Sequence, residues 1–157
     1  KKAIGTADAV KSALSTISNE SIVVVLYWDV PLIKKETIKE LILTSDEGLT
    51  ILSTIMNNPY GYGRVKKDSE GHAQSIIEEK DATDNDKKIN EVFTGILCCK
   101  KPLLEEAINE VNNDNAAGEY YLTDIVSIIA SKGYKINTCI VSNEEVKGAN
   151  TKTELSE

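Results

Sequence analysis

The stretch from Ser21 to Pro31 constrains the fold more than any other part of this chain. It reads Ser-Ile-Val-Val-Val-Leu-Tyr-Trp-Asp-Val-Pro, and the apolar residues from Ile22 to Leu26 are mostly β-branched. A short apolar run without polar alternation is typical of a strand buried on both faces, as in a parallel sheet. Pro31 cannot donate a hydrogen bond to a neighbouring strand, so the predicted strand ends before it.

Asp29 follows this strand at the position where open α/β sheets bind their ligands. An acidic residue there can hold a metal ion or a ribose. The same local sequence is also typical of an aspartate in a turn or at a helix N-terminus. The stretch alone therefore leaves both interpretations open.

Length and charge exclude several classes of protein. A chain of 157 residues is long enough to bury a core, and we predict that residues 1–157 form a single domain. The net charge of -7 argues against a basic nucleic-acid-binding face. No apolar run is long enough to span a bilayer, and the first residues lack a signal-peptide pattern. We expect a cytoplasmic protein without a nucleic-acid partner and without stable membrane insertion.

The cysteines and the single histidine argue against two kinds of chemistry. Cys98, Cys99 and Cys139 lack the spacing of a metal site, and neighbouring residues of a strand point to opposite faces. We expect free buried thiols in a reducing compartment. His72 lies beside a predicted turn, and we expect no catalytic role for it, which removes most triad chemistry.

Predicted strands and helices alternate along the chain. Strands are predicted at 22–27, 49–56, 93–99 and 135–141, and a hairpin at 64–67 and 73–78. Helices are predicted to begin near Thr6, Ile33, Pro102 and Thr123, with Thr6 as a capping residue. This alternation predicts an α/β fold with a mainly parallel mixed sheet, flanking helices and a β-hairpin insertion.

Several short motifs occur in a specific order along the chain. They are residues 4–10 (IGTADAV), 26–33 (LYWDVPLI), 59–64 (PYGYGR), 77–83 (IEEKDAT), 94–96 (TGI), 115–124 (NAAGEYYLTD) and 146–150 (VKGAN). Together they resemble the uridyltransferase domain of the bacterial bifunctional N-acetylglucosamine-1-phosphate uridyltransferases and glucosamine-1-phosphate acetyltransferases. The resemblance extends over essentially the whole chain.

The resemblance implies a Rossmann-like nucleotide-diphospho-sugar transferase fold and a defined reaction. Enzymes of this family transfer a uridylyl group from UTP to N-acetylglucosamine 1-phosphate, which gives UDP-N-acetylglucosamine and pyrophosphate. The reaction uses Mg²⁺ and supplies precursors of peptidoglycan and lipopolysaccharide in the cytoplasm. The whole family protein is a homotrimer that assembles through a C-terminal β-helix.

The resemblance also implies roles for individual residues. Asp29 and Asn150 match the magnesium ligands and count among the substrate-binding positions. Gly5 and Thr6 match contacts to the nucleotide. The positions that line the sugar pocket are Tyr27, Gly63 and Glu78.

The chain departs from the family pattern at several places. The usual Gly-His after Gly-Thr is Ala7-Asp8, Trp28 replaces a glycine beside Asp29, and Phe93 replaces an asparagine that contacts the sugar. The family's opening strand, its glycine-rich phosphate loop and its β-helix have no counterpart here. We therefore expect a fragment or an altered copy of the domain, without UTP-dependent turnover by itself.

Three hypotheses about function remain open. The chain is part of an N-acetylglucosamine-1-phosphate uridyltransferase, part of a related sugar-1-phosphate nucleotidyltransferase, or a non-catalytic remnant that binds sugar nucleotides. Phe93 leaves room for the second hypothesis, and Trp28 together with Phe93 favours the third.

Overall fold

A computed structural model of the chain describes residues 5–27 and 30–147. Four α-helices and six strands are present in these residues. The helices are α1 (Thr6–Leu14), α2 (Lys35–Thr44), α3 (Lys101–Glu110) and α4 (Asp124–Ser131). The strands are β1 (Ile22–Val25), β2 (Leu49–Ile55), β3 (Arg64–Lys67), β4 (Ala73–Ile77), β5 (Glu91–Lys100) and β6 (Ile136–Val141). The four predicted long strands, the hairpin and the helices are therefore confirmed.

Strand β5 is the centre of one mixed sheet. Along one side it pairs with β2, and β2 pairs in turn with β6. Along its other side it pairs with β3 near its beginning, at Val92, and with β1 near its end, from Leu97 to Lys100. The hairpin partner β4 extends the sheet beyond β3.

The strand directions confirm the mixed sheet but do not bear out a mainly parallel pairing. β1, β2 and β3 all run antiparallel to β5, and β6 runs parallel to β2. Four of the six strands thus share one direction, but β2 and β6 are the one parallel pair among the described residues. The reason is that β5 runs in the opposite direction between β1 and β2.

Helices pack on both faces of the sheet, and β2 is buried on both sides. The prediction that the strand after Ser21 is buried on both faces is wrong, because β1 is an edge strand that pairs only with β5 among the described residues, and Ile22 is 42% exposed. One face packs on α1, α3 and α4 through a large cluster that includes Ile51 and Leu97. The other face packs on Leu41 of α2 through a smaller cluster that includes Leu52 and Cys98. Neighbouring residues of one strand therefore enter different cores.

The thiols are buried as predicted. Cys98, Cys99 and Cys139 are free and buried, and burial raises the pKa of Cys99 to about 12. A thiol with that pKa stays protonated at neutral pH, and a protonated thiol is a poor nucleophile and metal ligand. None of the described helices is both long and apolar enough to cross a membrane.

Candidate active site

A cavity of about 920 Å³ lies at the carboxyl ends of β1, β2 and β6. Tyr27 and Val30 come after β1, Met56 to Asn58 after β2, and Asn143 to Lys147 after β6. Because β5 is antiparallel, its early residues Phe93 to Gly95 lie at the same edge. This is where α/β sheets bind ligands.

Four of the predicted site residues line this cavity, and they come from four separate segments. They are Thr6, Tyr27, Gly63 and Glu78. Gly5 is not part of the lining. Asp29 and Asn150, together with Trp28, lie outside the described residues. The nearest described residues that follow Asp29 and precede Asn150 in the sequence, Val30 and Lys147, both line the cavity.

Thr6 and Ala7 join the start of α1 to the segment after residue 119. The Ala7 N–H donates to the Tyr120 carbonyl at 3.2 Å, and Leu122 N–H donates to the Thr6 hydroxyl at 3.0 Å. Thr6 is the first residue of α1 and its predicted capping role is wrong, because Gly5 occupies the N-cap position. The Thr6 hydroxyl accepts its hydrogen bond from the Leu122 backbone and does not cap its own helix.

Glu78 lies at the centre of the polar lining. Its Oε1 accepts a hydrogen bond from the Thr123 hydroxyl at 2.9 Å. A Cβ atom on Gly63 would lie 2.7 Å from the Ile76 methyl, so a larger residue at this position would clash with Ile76. Glu78 is half-buried and lines the cavity, which makes its carboxylate accessible from there.

Sequence reasoning missed Thr123 and Tyr121, which also line the cavity. Both belong to the motif at 115–124, but Thr123 was predicted only as a helix cap. It is the N-cap residue of α4, yet its side chain makes no capping hydrogen bond and contacts Glu78 instead. The available signal was the place of Thr123 in the 115–124 motif, because a threonine hydroxyl can bind another side chain as well as cap a helix.

The electrostatic field around Glu78 is negative. Burial, with the charges of Glu78 and Asp81, raises the pKa of Asp124. Burial and the negative charges of Asp81, Glu78 and Glu119 also raise the pKa of Tyr121. Neutral hydroxyl and amide donors of a sugar suit such surroundings better than a phosphate does. Lys147 is the one basic side chain in the described part of the lining.

A buried arginine holds the loop that precedes Gly63. Arg64 is 2% exposed, and its Nη2 atom lies 2.6 Å from Glu79 Oε2. It also donates to the Tyr62 carbonyl, while Gly61 N–H donates to Glu79 Oε2 at 3.2 Å. The Arg64–Glu79 pair thus holds the backbone of the 61–63 loop at Gly61 and Tyr62, and this loop lines the cavity.

The Arg64–Glu79 pair predicts a pH dependence of stability. The hydrogen bond from Arg64 lowers the pKa of Glu79 from its ordinary value of 4.5. A lowered folded-state pKa stabilises the fold above the unfolded-state value, and this stabilisation is lost as pH falls through the folded-state pKa. We expect Glu79→Gln to be less stable than the unmodified chain at neutral pH, and the difference to narrow below pH 4.5.

Urea unfolding from neutral to acidic pH measures this difference. Glu36→Gln, an equal charge change at an exposed site in α2, is the control. A stability difference between Glu79→Gln and the unmodified chain that does not change with pH would contradict the assignment.

The wall of the cavity at Tyr27 depends on a glycine in β5. The register between β2 and β5 shifts between Ile51 and Ser53, and the Thr94 hydroxyl donates to the Leu52 carbonyl at 2.8 Å there. Gly95 takes a φ of 87° in this irregularity. The Tyr27 ring occupies the space that a Cβ atom on Gly95 would fill. The bulge thereby makes room for an aromatic wall.

Comparison with known proteins shows similarity to one family. Residues 1–144 match the family described as nucleotidyl transferase. The chain is 43% identical over 159 residues to the Bifunctional protein GlmU of Methylococcus capsulatus, with 100% of this chain and 34% of that protein covered. Against the protein of the same name from Clostridioides difficile it is 43% identical over 157 residues, with 98% and 34% covered. The chain thus spans about a third of the length of these curated relatives.

Two solved structures share the fold. A UDP-glucose pyrophosphorylase complexed with UDP-glucose matches with a TM-score of 0.68 at 17% identity, over 88% of this chain and 55% of that chain. A structure from Bacillus anthracis described as a glucose-1-phosphate thymidylyltransferase matches with a TM-score of 0.66 at 20% identity, over 99% and 60%. At these identities the similarity concerns the fold alone, and it confirms the predicted nucleotide-diphospho-sugar transferase fold.

Proposed function

The chain belongs to the nucleotidyl transferase family, and from this premise we propose that it serves uridylyl transfer from UTP to N-acetylglucosamine 1-phosphate. The products are UDP-N-acetylglucosamine and pyrophosphate. The single observation that carries the proposal is the convergence of Thr6, Tyr27, Gly63 and Glu78 on one cavity. The motif resemblance assigns the same four residues to the nucleotide and to the sugar pocket.

The residues of the cavity support binding of the sugar. Glu78 is held by Thr123 and lines the cavity, so its second carboxylate oxygen is available to accept a hydrogen bond from a sugar hydroxyl or amide. In the reaction an oxygen of the sugar 1-phosphate forms a bond to the α-phosphorus of UTP, and the bond to pyrophosphate breaks. Such transfers depend mainly on positioning and on charge neutralisation.

Magnesium is part of the proposal through Asp29 and Asn150. One carboxylate and one amide oxygen are hard ligands of the kind Mg²⁺ prefers, and Mg²⁺ keeps several waters besides. Val30, next to Asp29, and Lys147, three residues before Asn150, line the same cavity, which supports a shared site. Bound there, the ion would neutralise phosphate charge.

A related sugar-1-phosphate nucleotidyltransferase is the second candidate function. Phe93 lines the cavity where the resemblance expects an asparagine, and it is 8% exposed with its ring packed into the core. The Phe93 ring has no amide group to hydrogen-bond to a sugar, so this wall of the cavity also suits a sugar other than N-acetylglucosamine. Both candidates use a sugar nucleotide, and they differ in which one binds best.

The sugar-binding role predicts the effect of one substitution. We expect Glu78→Gln to weaken binding of UDP-N-acetylglucosamine about tenfold or more, because it removes the charge from a hydrogen-bonding carboxylate. Calorimetric titration measures the affinity, and fluorescence of Trp28, the only tryptophan, gives a second readout. Glu36→Gln on the exposed face of α2 is the matched control.

A ligand panel separates the candidates. UDP-N-acetylglucosamine, UDP-glucose and dTDP-glucose are titrated against the chain, with UDP as the sugar-free reference. Tightest binding of UDP-N-acetylglucosamine supports the first candidate, and a preference for another sugar nucleotide supports the second. Equal binding of UDP and all three sugar nucleotides would contradict a sugar site at Glu78.

A further inference from the structure

A buried carboxylate at the start of α2 has no role in the site described so far. Glu145 is 5% exposed and comes from the turn after β6, far along the chain from α2. Its Oε1 accepts hydrogen bonds from the Lys34 backbone N–H at 3.2 Å and from the Thr37 hydroxyl. Its Oε2 lies 3.4 Å from the Lys34 ammonium.

These contacts supply a hydrogen-bond acceptor at the N-terminus of α2, where the local sequence supplies none. The first N–H groups of a helix need partners, and Lys34 at the N-cap position supplies no side-chain acceptor. A carboxylate is favoured there because the helix dipole is positive at its N-terminus. Although burial opposes ionisation, the hydrogen bonds from Thr37 and Lys34 hold the pKa of Glu145 below its usual value.

The turn that carries Glu145 is attached at two points. Asn143 accepts a hydrogen bond from Thr54 at 2.7 Å and donates to the Ile55 carbonyl at 3.0 Å, which fixes the turn to β2. Glu145 fixes it to α2. Val30 and Val146, on the two segments that Glu145 joins, pack against the same core cluster and both line the cavity.

We infer that Glu145 is a positioning residue that ties segment 30–37 to the turn at 142–147 and thereby sets the width of the cavity between Val30 and Val146. The inference rests on the proposed function for the identity of the ligand. In the sequence, Asp29, a proposed magnesium ligand, directly precedes the first segment, and Asn150, the other, follows the second by three residues.

Amide hydrogen exchange tests the tie without any ligand. Glu145→Ala is expected to speed exchange at the Lys34 amide and within residues 143–147, and to leave the amides of β5 unchanged. Glu145→Gln keeps an acceptor oxygen for Lys34 and Thr37, so exchange there is expected to lie closer to that of the unmodified chain. Unchanged exchange in Glu145→Ala, or uniformly faster exchange throughout the chain, would overturn the inference.

Titration with UDP-N-acetylglucosamine tests the effect on the cavity. We expect Glu145→Ala to weaken binding roughly tenfold, and Glu145→Gln to restore part of the loss, because misplaced contacts lower affinity steeply. Glu36→Gln, in the first turn of the same helix, is expected to bind as the unmodified chain does. Unchanged affinity in Glu145→Ala would overturn the positioning role.

The two tests distinguish this inference from the proposed function. If the unmodified chain binds none of the sugar nucleotides, the proposed function fails, and hydrogen exchange still supports or overturns the tie by itself. If the chain binds and Glu78→Gln weakens binding while Glu145→Ala does not, the proposed function stands and the positioning role of Glu145 fails.

Discussion

The Gly5→Ala variant is expected to lose about 3 kcal/mol of its free energy of unfolding, because overpacking and a strained backbone each cost roughly 1–3 kcal/mol. A Cβ atom on Gly5 would lie 2.4 Å from the Tyr120 carbonyl oxygen and 2.9 Å from its nitrogen. Both are backbone atoms, which cannot swing aside. Gly5 also has φ 147° and ψ 173°, a combination that residues other than glycine rarely adopt.

The same substitution should also disturb the cavity. Relieving the clash would separate α1 from Tyr120 and would break the hydrogen bond between Leu122 N–H and the Thr6 hydroxyl, and Thr6 and Leu122 both line the cavity. Urea unfolding gives the stability, and titration with UDP-N-acetylglucosamine gives the affinity. Gly71→Ala is the control, since Gly71 has φ 89° and no atom near the added methyl group. Equal losses in the two variants would mean that the contact with Tyr120 is not what requires glycine.

The Gly95→Ala variant is expected to bind UDP-N-acetylglucosamine at least about tenfold more weakly, because the wall formed by Tyr27 must move. The added Cβ atom would lie 2.1 Å from Tyr27 Cε2 and 2.7 Å from Cδ2. Tyr27 is 40% exposed, so its ring can swing toward solvent. The loss of stability is therefore expected to be small, about 1–2 kcal/mol from the positive φ, whereas the loss of affinity is large.

A double substitution separates the steric effect from the backbone effect. In a Tyr27→Ala background the ring is absent, so Gly95→Ala should not weaken binding of UDP-N-acetylglucosamine further, and its cost in stability should match that of Gly133→Ala, which has the same φ of 87° and no neighbouring atom. Titration and urea unfolding of the single and double variants measure the two effects. A loss of affinity on Gly95→Ala that is the same with and without the Tyr27 ring would contradict the proposed contact.

The strands could be predicted from the sequence because their signal is local. The run at Leu49–Ile55 is buried on both faces between helices, whereas the apolar run at Ile22–Val25 forms an edge strand that is only partly buried. The hairpin was predicted for the same reason, since Asp68 to Gly71 suit a turn wherever the chain places it. The ordered motifs, likewise read from the sequence, indicated four residues of the cavity lining, Thr6, Tyr27, Gly63 and Glu78, whereas Gly5 is not part of it.

Only the tertiary structure decided the partners of the polar side chains. The Thr6 hydroxyl accepts from Leu122 instead of capping its own helix, and the start of α2 receives its carboxylate from Glu145. Local sequence also did not indicate that β5 runs antiparallel between β1 and β2. The physical reason is that apolar periodicity records which residues are buried, whereas a hydroxyl, a carboxylate or a strand edge has several possible partners of similar energy. The packing of the whole chain selects among them.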